Sequence, residues 1–333
     1  MKKKLCTIFL IFCVALTLCA CTKDEDNEST FQSGDVDVFN DWGNDSNEED
    51  YHQSEDSNLP PFSIHFIDVG QGDAALVQCE GHYMLIDGGD FNHGQDVYDA
   101  LCEAQGLESL DILAISHLHE DHYGGLTKAL SALSGSNPIG LTISNSYYVD
   151  NQSFRKFEHE LYECGSRITV PEIGEMSFEF GDATIEVVDV TAEEKNDSLV
   201  LLITYGKTRF LFTGDIQKNG QKRVAEYLSE TSQNDFKGES LIKMPHHGAY
   251  NDDDGVHDNN LNRLLTEYDP TYFIISVGEN NIYDHPHSKT IELLEQYIFK
   301  YRNWKWDKHV FRTDKQGDIY VRSDGKNIIV EVE

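Results

Sequence analysis

Alternating and continuous apolar runs predict a repeating order of short strands and helices from residue 62 onward. Phe62–Val69 alternates and is rich in β-formers, and Ala74–Gln78 and Tyr83–Ile86 follow as strands between Gly-rich turns. The apolar spacing over Val97–Gln105 is helical, and Asp111–Ile115 is a short buried strand. Leu126–Leu133 is helical after Gly124-Gly125, Ile139–Ile143 is a strand, and Ser153–Cys164 is a helix. Five strands come next, at Ile168–Val170, Met176–Phe180, Thr184–Val190, Leu199–Tyr205 and Thr208–Thr213. A helix at Gln221–Leu228, a strand at Leu241–Met244, a helix at Leu261–Tyr268 and a strand at Tyr272–Val277 continue the order. A helix over Ser288–Tyr301 and strands near 309–313, 318–322 and 327–332 close it. Two mostly antiparallel sheets, each covered by helices on its outer face, accommodate this pattern.

The first 60 residues obey other rules. Lys2, Lys3 and Lys4 precede an apolar run, Leu5 to Leu18, too short for a comfortable membrane span. The run ends Leu18-Cys19-Ala20-Cys21, so residues 1–21 read as a lipoprotein signal with Cys21 as the lipidated residue, a plain secretory signal being the alternative. Residues 22–60 hold 13 Asp or Glu against one Lys and predict an acidic disordered tether. The expected protein is exported and held at the bacterial membrane by a lipid anchor, facing outward.

Residues 61–333 suffice for one large α/β domain. From residue 62 onward 22 basic face 46 acidic side chains, a net charge of −24, with no Lys/Arg run. That balance argues against a general nucleic-acid binder. Cys79, Cys102 and Cys164 lack metal-type spacing and read as buried or free thiols.

One run stands apart: Ser116-His117-Leu118-His119-Glu120-Asp121-His122-Tyr123-Gly124-Gly125-Leu126 packs the three imidazoles of His117, His119 and His122 and the carboxylate of Asp121 into six residues. These are the ligand types of zinc and similar divalent ions. On extended chain His117 and His119 point the same way, and a following turn lets Asp121 and His122 face a second position. Ligand types recur where other strands should end, at Thr213-Gly214-Asp215, at Pro245-His246-His247-Gly248 and at Asp284-His285-Pro286-His287. A carboxylate after a strand and a glycine, as at Asp215, suits a bridge between two ions. Singly, Asp215 and His287 also fit as helix caps.

With Leu85-Ile86-Asp87-Gly88-Gly89 ahead of them, these motifs resemble the metallo-β-lactamase superfamily. Asp68-Val69-Gly70-Gln71-Gly72-Asp73, Asn196-Asp197-Ser198-Leu199-Val200 and Ser276-Val277-Gly278 resemble, more narrowly, the hydrolase domain of the ComEC competence proteins. The resemblance implies a four-layer αββα sandwich and two divalent metal ions, zinc or alternatively manganese. It implies His117 and His119 on the first metal and Asp121, His122 and His246 on the second, with Asp215 bridging. His246 is expected ahead of His247, which is left to the substrate side. Asp87 would orient a ligand, Asp121 accept a proton, His285 and His287 serve the substrate oxygen or leaving group, and Gln71 and Asp73 line the rim. Many superfamily members give the first metal a third His. Here Asn196-Asp197-Ser198 occupies that region without one. The expected activity is hydrolysis of a phosphodiester, nuclease-like or on a small or wall-linked ester, by a monomer. Lactone, thioester or amide hydrolysis, or a non-catalytic surface-anchored binding protein, are the alternatives.

Overall fold

The computed structural model describes residues 60–134, 138–145, 149–173, 177–231, 236–250 and 260–332. The signal segment and all but the last residue of the tether lie outside the described residues. Eight strands form a first sheet in the spatial order β15 (Ile328–Val332), β14 (Ile319–Ser323), β1 (Phe62–Phe66), β2 (Ala75–Cys79), β3 (His82–Ile86), β4 (Leu110–Ile115), β5 (Ile139–Ser144) and β6 (Ile168–Thr169). Seven form a second, ordered β13 (Val310–Arg312), β12 (Tyr272–Ile275), β11 (Glu239–Lys243), β10 (Thr208–Phe212), β9 (Val200–Tyr205), β8 (Ala183–Asp189) and β7 (Ser177–Phe180).

The expectation of mostly antiparallel sheets is corrected, because each sheet is mixed. In the first, pairing is antiparallel from β15 to β3 and parallel from β3 to β6. In the second it is parallel from β13 to β10 and antiparallel from β10 to β7. Parallel neighbours need long crossovers, and helices supply them. Thus α1 (Gly94–Glu103) joins β3 to β4, while α2 (Glu120–Tyr123) and α3 (Leu126–Ala129) lie between β4 and β5. Helix α4 (Gln152–Glu163) follows β5, α5 (Lys218–Glu230) follows β10, and α6 (Asn260–Tyr268) follows β11. The helix expected over 288–301 is α7 (Ser288–Glu295) continued by a π-helical stretch, Gln296–Arg302, which stops at left-handed Asn303.

Strand alternation sorts side chains into two environments. Phe62, Ile64 and Phe66 face inward to meet Ile203, Phe210 and Phe212 of the other sheet, with Phe62 and Phe210 stacked at 4.7 Å. Leu85, Leu113 and Ile115 face outward under Val97 and Leu101 of α1 and Phe154, Phe157 and Leu161 of α4. On the far side Val224 and Leu228 of α5 and Leu261, Leu264, Leu265 and Tyr268 of α6 cover Leu202, Leu211 and Ile242. Their i, i+3/i+4, i+7 spacing is that of a helix with one apolar stripe. The result is the expected αββα sandwich.

A candidate metal centre

The β3, β4, β10, β11 and β12 strands all end at one edge of the sandwich, and each delivers a polar residue there. Their shared direction is what gathers residues distant in sequence. After β3, Asp87 adopts a left-handed conformation, φ 58°, with its amide bonded to Ala114 O. Its carboxylate accepts from Ser116 N at 2.7 Å and lies 2.9 Å from His122 Nδ1. After β4 the chain runs extended to His119, then coils into α2, placing Asp121 and His122 one turn further on. The β1–β2 loop packs against this turn so closely that a Cβ on Gly72 would strike Asp121 O.

Two groups of donors result. His117 Nε2 and His119 Nδ1 are 2.8 Å apart, and Asp215 Oδ2 is 3.9 Å from His117 Nε2. Asp121, His122, Asp215 and His247 make the second group, their donor atoms all within 4.8 Å of one another. His122 Nε2 is 3.3 Å from Asp215 Oδ2, and His247 Nε2 is 3.5 Å from both Asp121 Oδ2 and Asp215 Oδ1. Asp215 belongs to both groups. Three buried atoms of the second group, His122 Nε2, His247 Nε2 and Asp215 Oδ1, have no hydrogen-bond partner, and neither has His119 Nε2 of the first. Buried polar atoms are normally paired, so a convergent orphan set of nitrogen and carboxylate oxygen fits a divalent cation.

Ring orientation agrees. Asp87 Oδ2 beside His122 Nδ1 and Ser276 O at 2.9 Å from His247 Nδ1 can only accept, so both Nδ1 atoms carry hydrogen and both Nε2 atoms are left to face the group. Burial, with His122 close by, holds His117 well below the usual imidazole range; burial and Lys195 bring His119 down to about 4. Both are neutral, the ligating form. Burial acts against charge on His247, but Asp215 and Asp73 outweigh it and raise this imidazole to about 10, so a cation at Nε2 would take the place of a proton.

The choice of His246 over His247 is corrected. In the Pro245–Gly248 turn both residues have left-handed backbone, φ 50° and 53°, which sends the rings apart. His247 is buried in the donor group, whereas His246 Nε2 stands 3.7 Å from Asp215 Oδ2 and its side chain is 21% exposed. Asp73 is corrected too, since it lies beneath the site rather than on the rim. It pairs with Lys243 Nζ, and its Oδ1 is 3.4 Å from His247 Nδ1. Both ring nitrogens of His287 are engaged within the protein: Nδ1 accepts from Tyr250 N at 2.8 Å and Nε2 faces Tyr283 O at 3.2 Å. His285 does stand at the mouth, 5.4 Å ring to ring from His246, with Nδ1 3.4 Å from Gln71 Nε2. Burial and the neighbouring imidazoles lower it to about 4. Asp87 lies where an orienting residue is expected.

Lys243 escaped the sequence reading. It faces inward at the end of a strand otherwise apolar there, and a lone Lys beside Pro245-His246-His247 was the available signal. Ser198 also counts, because its Oγ accepts from Asp215 N at 3.0 Å and sits against left-handed Gly214, where a Cβ would approach to 2.6 Å. Next to it Arg223 clamps Asp197 at 2.5 Å and Asp189 at 2.9 Å. This clamp occupies the region from which other superfamily members are expected to supply a third His.

The family model described as the metallo-beta-lactamase superfamily matches residues 67–278. ComE operon protein 3 of Bacillus subtilis is 25% identical over 280 residues, 78% of this chain and 33% of that protein. Recombination protein 2 of Haemophilus influenzae is 25% identical over 243 residues, 72% of this chain and 27% of that one. The chain thus spans about a third of the length of these relatives. Among solved structures, the metallo-beta-lactamase fold protein YhfI from Bacillus subtilis is 13% identical, covers 80% of this chain and 99% of its own, and superposes with a TM-score of 0.46. With its motifs, its two-sheet architecture and the family model matching residues 67–278, the chain belongs to the metallo-β-lactamase superfamily.

Proposed function

We propose that the domain is a metal-dependent hydrolase that cleaves a phosphodiester. The observation that carries the reading is the convergence of three unpartnered buried atoms, His122 Nε2, His247 Nε2 and Asp215 Oδ1, next to the His117/His119 pair. His117, His119 and Asp215 would hold one divalent cation, zinc or manganese, and Asp121, His122, His247 and Asp215 the other. Such a pair supplies Lewis acidity and activates water. Asp87 and Ser276 O orient the imidazoles, and Ser198 fixes Asp215 through its backbone amide. Asp121, the one partly exposed carboxylate of the group, accepts the proton of the attacking water. Burial opposes its ionisation, but His122 and His247 hold it well below the usual range, so it is a carboxylate at neutral pH. Neutral His285, steadied by Gln71, offers an N–H to a substrate oxygen at the mouth.

The acidic balance of the domain favours a small or wall-linked phosphoester over a long polyanion. In this reading the protein works as a monomer outside the cell, anchored through Cys21. Among the described residues no helix is long and apolar enough to cross a membrane. The test is metal content of the purified protein together with p-nitrophenol release from bis-p-nitrophenyl phosphate and p-nitrophenyl phosphorylcholine. Two equivalents of metal with turnover of either ester is the expected result. Two equivalents with no turnover of either overturns it.

A further inference from the structure

His246 and His247 are consecutive, yet their surroundings call for opposite tautomers. His247 Nδ1 faces a carbonyl, Ser276 O, so Nδ1 carries a hydrogen and Nε2 is the atom left to face Asp121 and Asp215. His246 Nδ1 faces two amide nitrogens, Gln217 Nε2 at 3.2 Å and Asn196 Nδ2 at 3.4 Å. Amide NH2 groups only donate, so Nδ1 accepts and the hydrogen of His246 sits on Nε2. An Nε2–H cannot ligate a cation but can donate a hydrogen bond. That atom is 3.7 Å from Asp215 Oδ2, too far to bond it, on a side chain that reaches solvent. Gln217 is the N-cap of α5 and Asn196 lies in the loop before β9, so two separate elements fix the ring. The left-handed backbone of His246 points the same way, since such conformations persist in non-glycine residues only where the surroundings over-determine them.

We propose that His246 is a substrate-binding donor, its Nε2–H holding an anionic phosphoryl oxygen at the open edge of the metal group beside Asp215. The inference rests on the phosphoester reading. No bond is made or broken at His246; it orients the anion and offsets its charge.

The experiment measures metal content and calorimetric binding of inorganic phosphate for the wild-type chain, His246→Ala, His246→Gln and His247→Ala. His246→Ala should keep the wild-type metal content and lose about 10-fold or more in phosphate affinity, the usual worth of a hydrogen bond to a charged group. His246→Gln, which restores an N–H donor, should recover part of it. His247→Ala should lose one equivalent of metal. Loss of a metal equivalent in His246→Ala, or phosphate binding equal to wild type, overturns the proposal. Gln217→Met removes an amide donor away from the metal group and should lower phosphate affinity at unchanged metal content, so it decides the matter if His246→Ala does not fold. A wild-type protein that binds phosphate but hydrolyses no ester fails the functional reading alone; one that holds metal without binding phosphate overturns both.

Discussion

The ammonium of Lys243 and the carboxylate of Asp73 meet across the two sheets, both buried, with Asp73 also 3.4 Å from His247 Nδ1. Breaking a buried pair leaves an uncompensated charge in a low-dielectric interior, at a cost of about 3–5 kcal/mol. Lys243→Met should therefore lower unfolding free energy by roughly that amount in a urea titration. Adding Asp73→Asn removes the stranded carboxylate and should recover most of the loss. A single variant as stable as wild type would show that the pair does not carry the interface.

Asp87 holds the His122 ring with one oxygen and the Ser116 amide with the other. Replacing such an orienting carboxylate weakens metal binding about 10- to 100-fold. Asp87→Asn should show that drop in competition with a chromophoric chelator while the fold persists by circular dichroism. Unchanged affinity would remove Asp87 from the site.

Asp318 latches the loop that carries Gln71 and Asp73, accepting from Asp68 N at 2.7 Å and lying 2.6 Å from His65 Nε2. Burial would raise its pKa, but the His65 and Asp68 hydrogen bonds hold it below the ordinary value. A depressed carboxyl stabilises the fold above its unfolded pKa and loses that contribution as pH falls through the folded value. Asp318→Asn should cost about 1–2 kcal/mol at neutral pH, the gap to wild type closing as pH drops below about 4. Parallel stability curves across that range would contradict this.

Gly72 touches the backbone of Asp121, where a methyl group meets the carbonyl oxygen. Gly72→Ala should cost about 1–3 kcal/mol by forced displacement and reduce metal content, because Asp121 is what moves. Calorimetric melting and metal analysis read both effects. Full metal content in a protein of wild-type melting temperature would discount the contact.

Much of this is legible in the amino-acid sequence. The strands announce themselves through alternation, and His117, His119, Asp121, His122 and Asp215 sit where apolar runs stop, so type and position agree. His246 and His247 could not be separated that way. Their order is decided by a left-handed turn and by whether a carbonyl or an amide meets Nδ1, neither of which spacing encodes. Asp73 looked like a rim residue because loops are usually solvated; only the partner Lys243, 170 positions away, takes it inside. The mixed sheets were missed because strand direction depends on which strands become neighbours.

Strand β1 is flanked by β2 on one side and by β14 on the other, so the first sheet is closed by residues from the far end of the domain. Every donor from His117 to His247 precedes β14 in the chain, yet the loop bearing Asp73 is latched by Asp318, 250 positions after Asp68. A nascent or truncated chain can hold all the donor residues and still lack the latch and one partner of β1. The loop that reaches the donor groups is thereby held from the C-terminal hairpin, so the centre draws on both ends of the described domain.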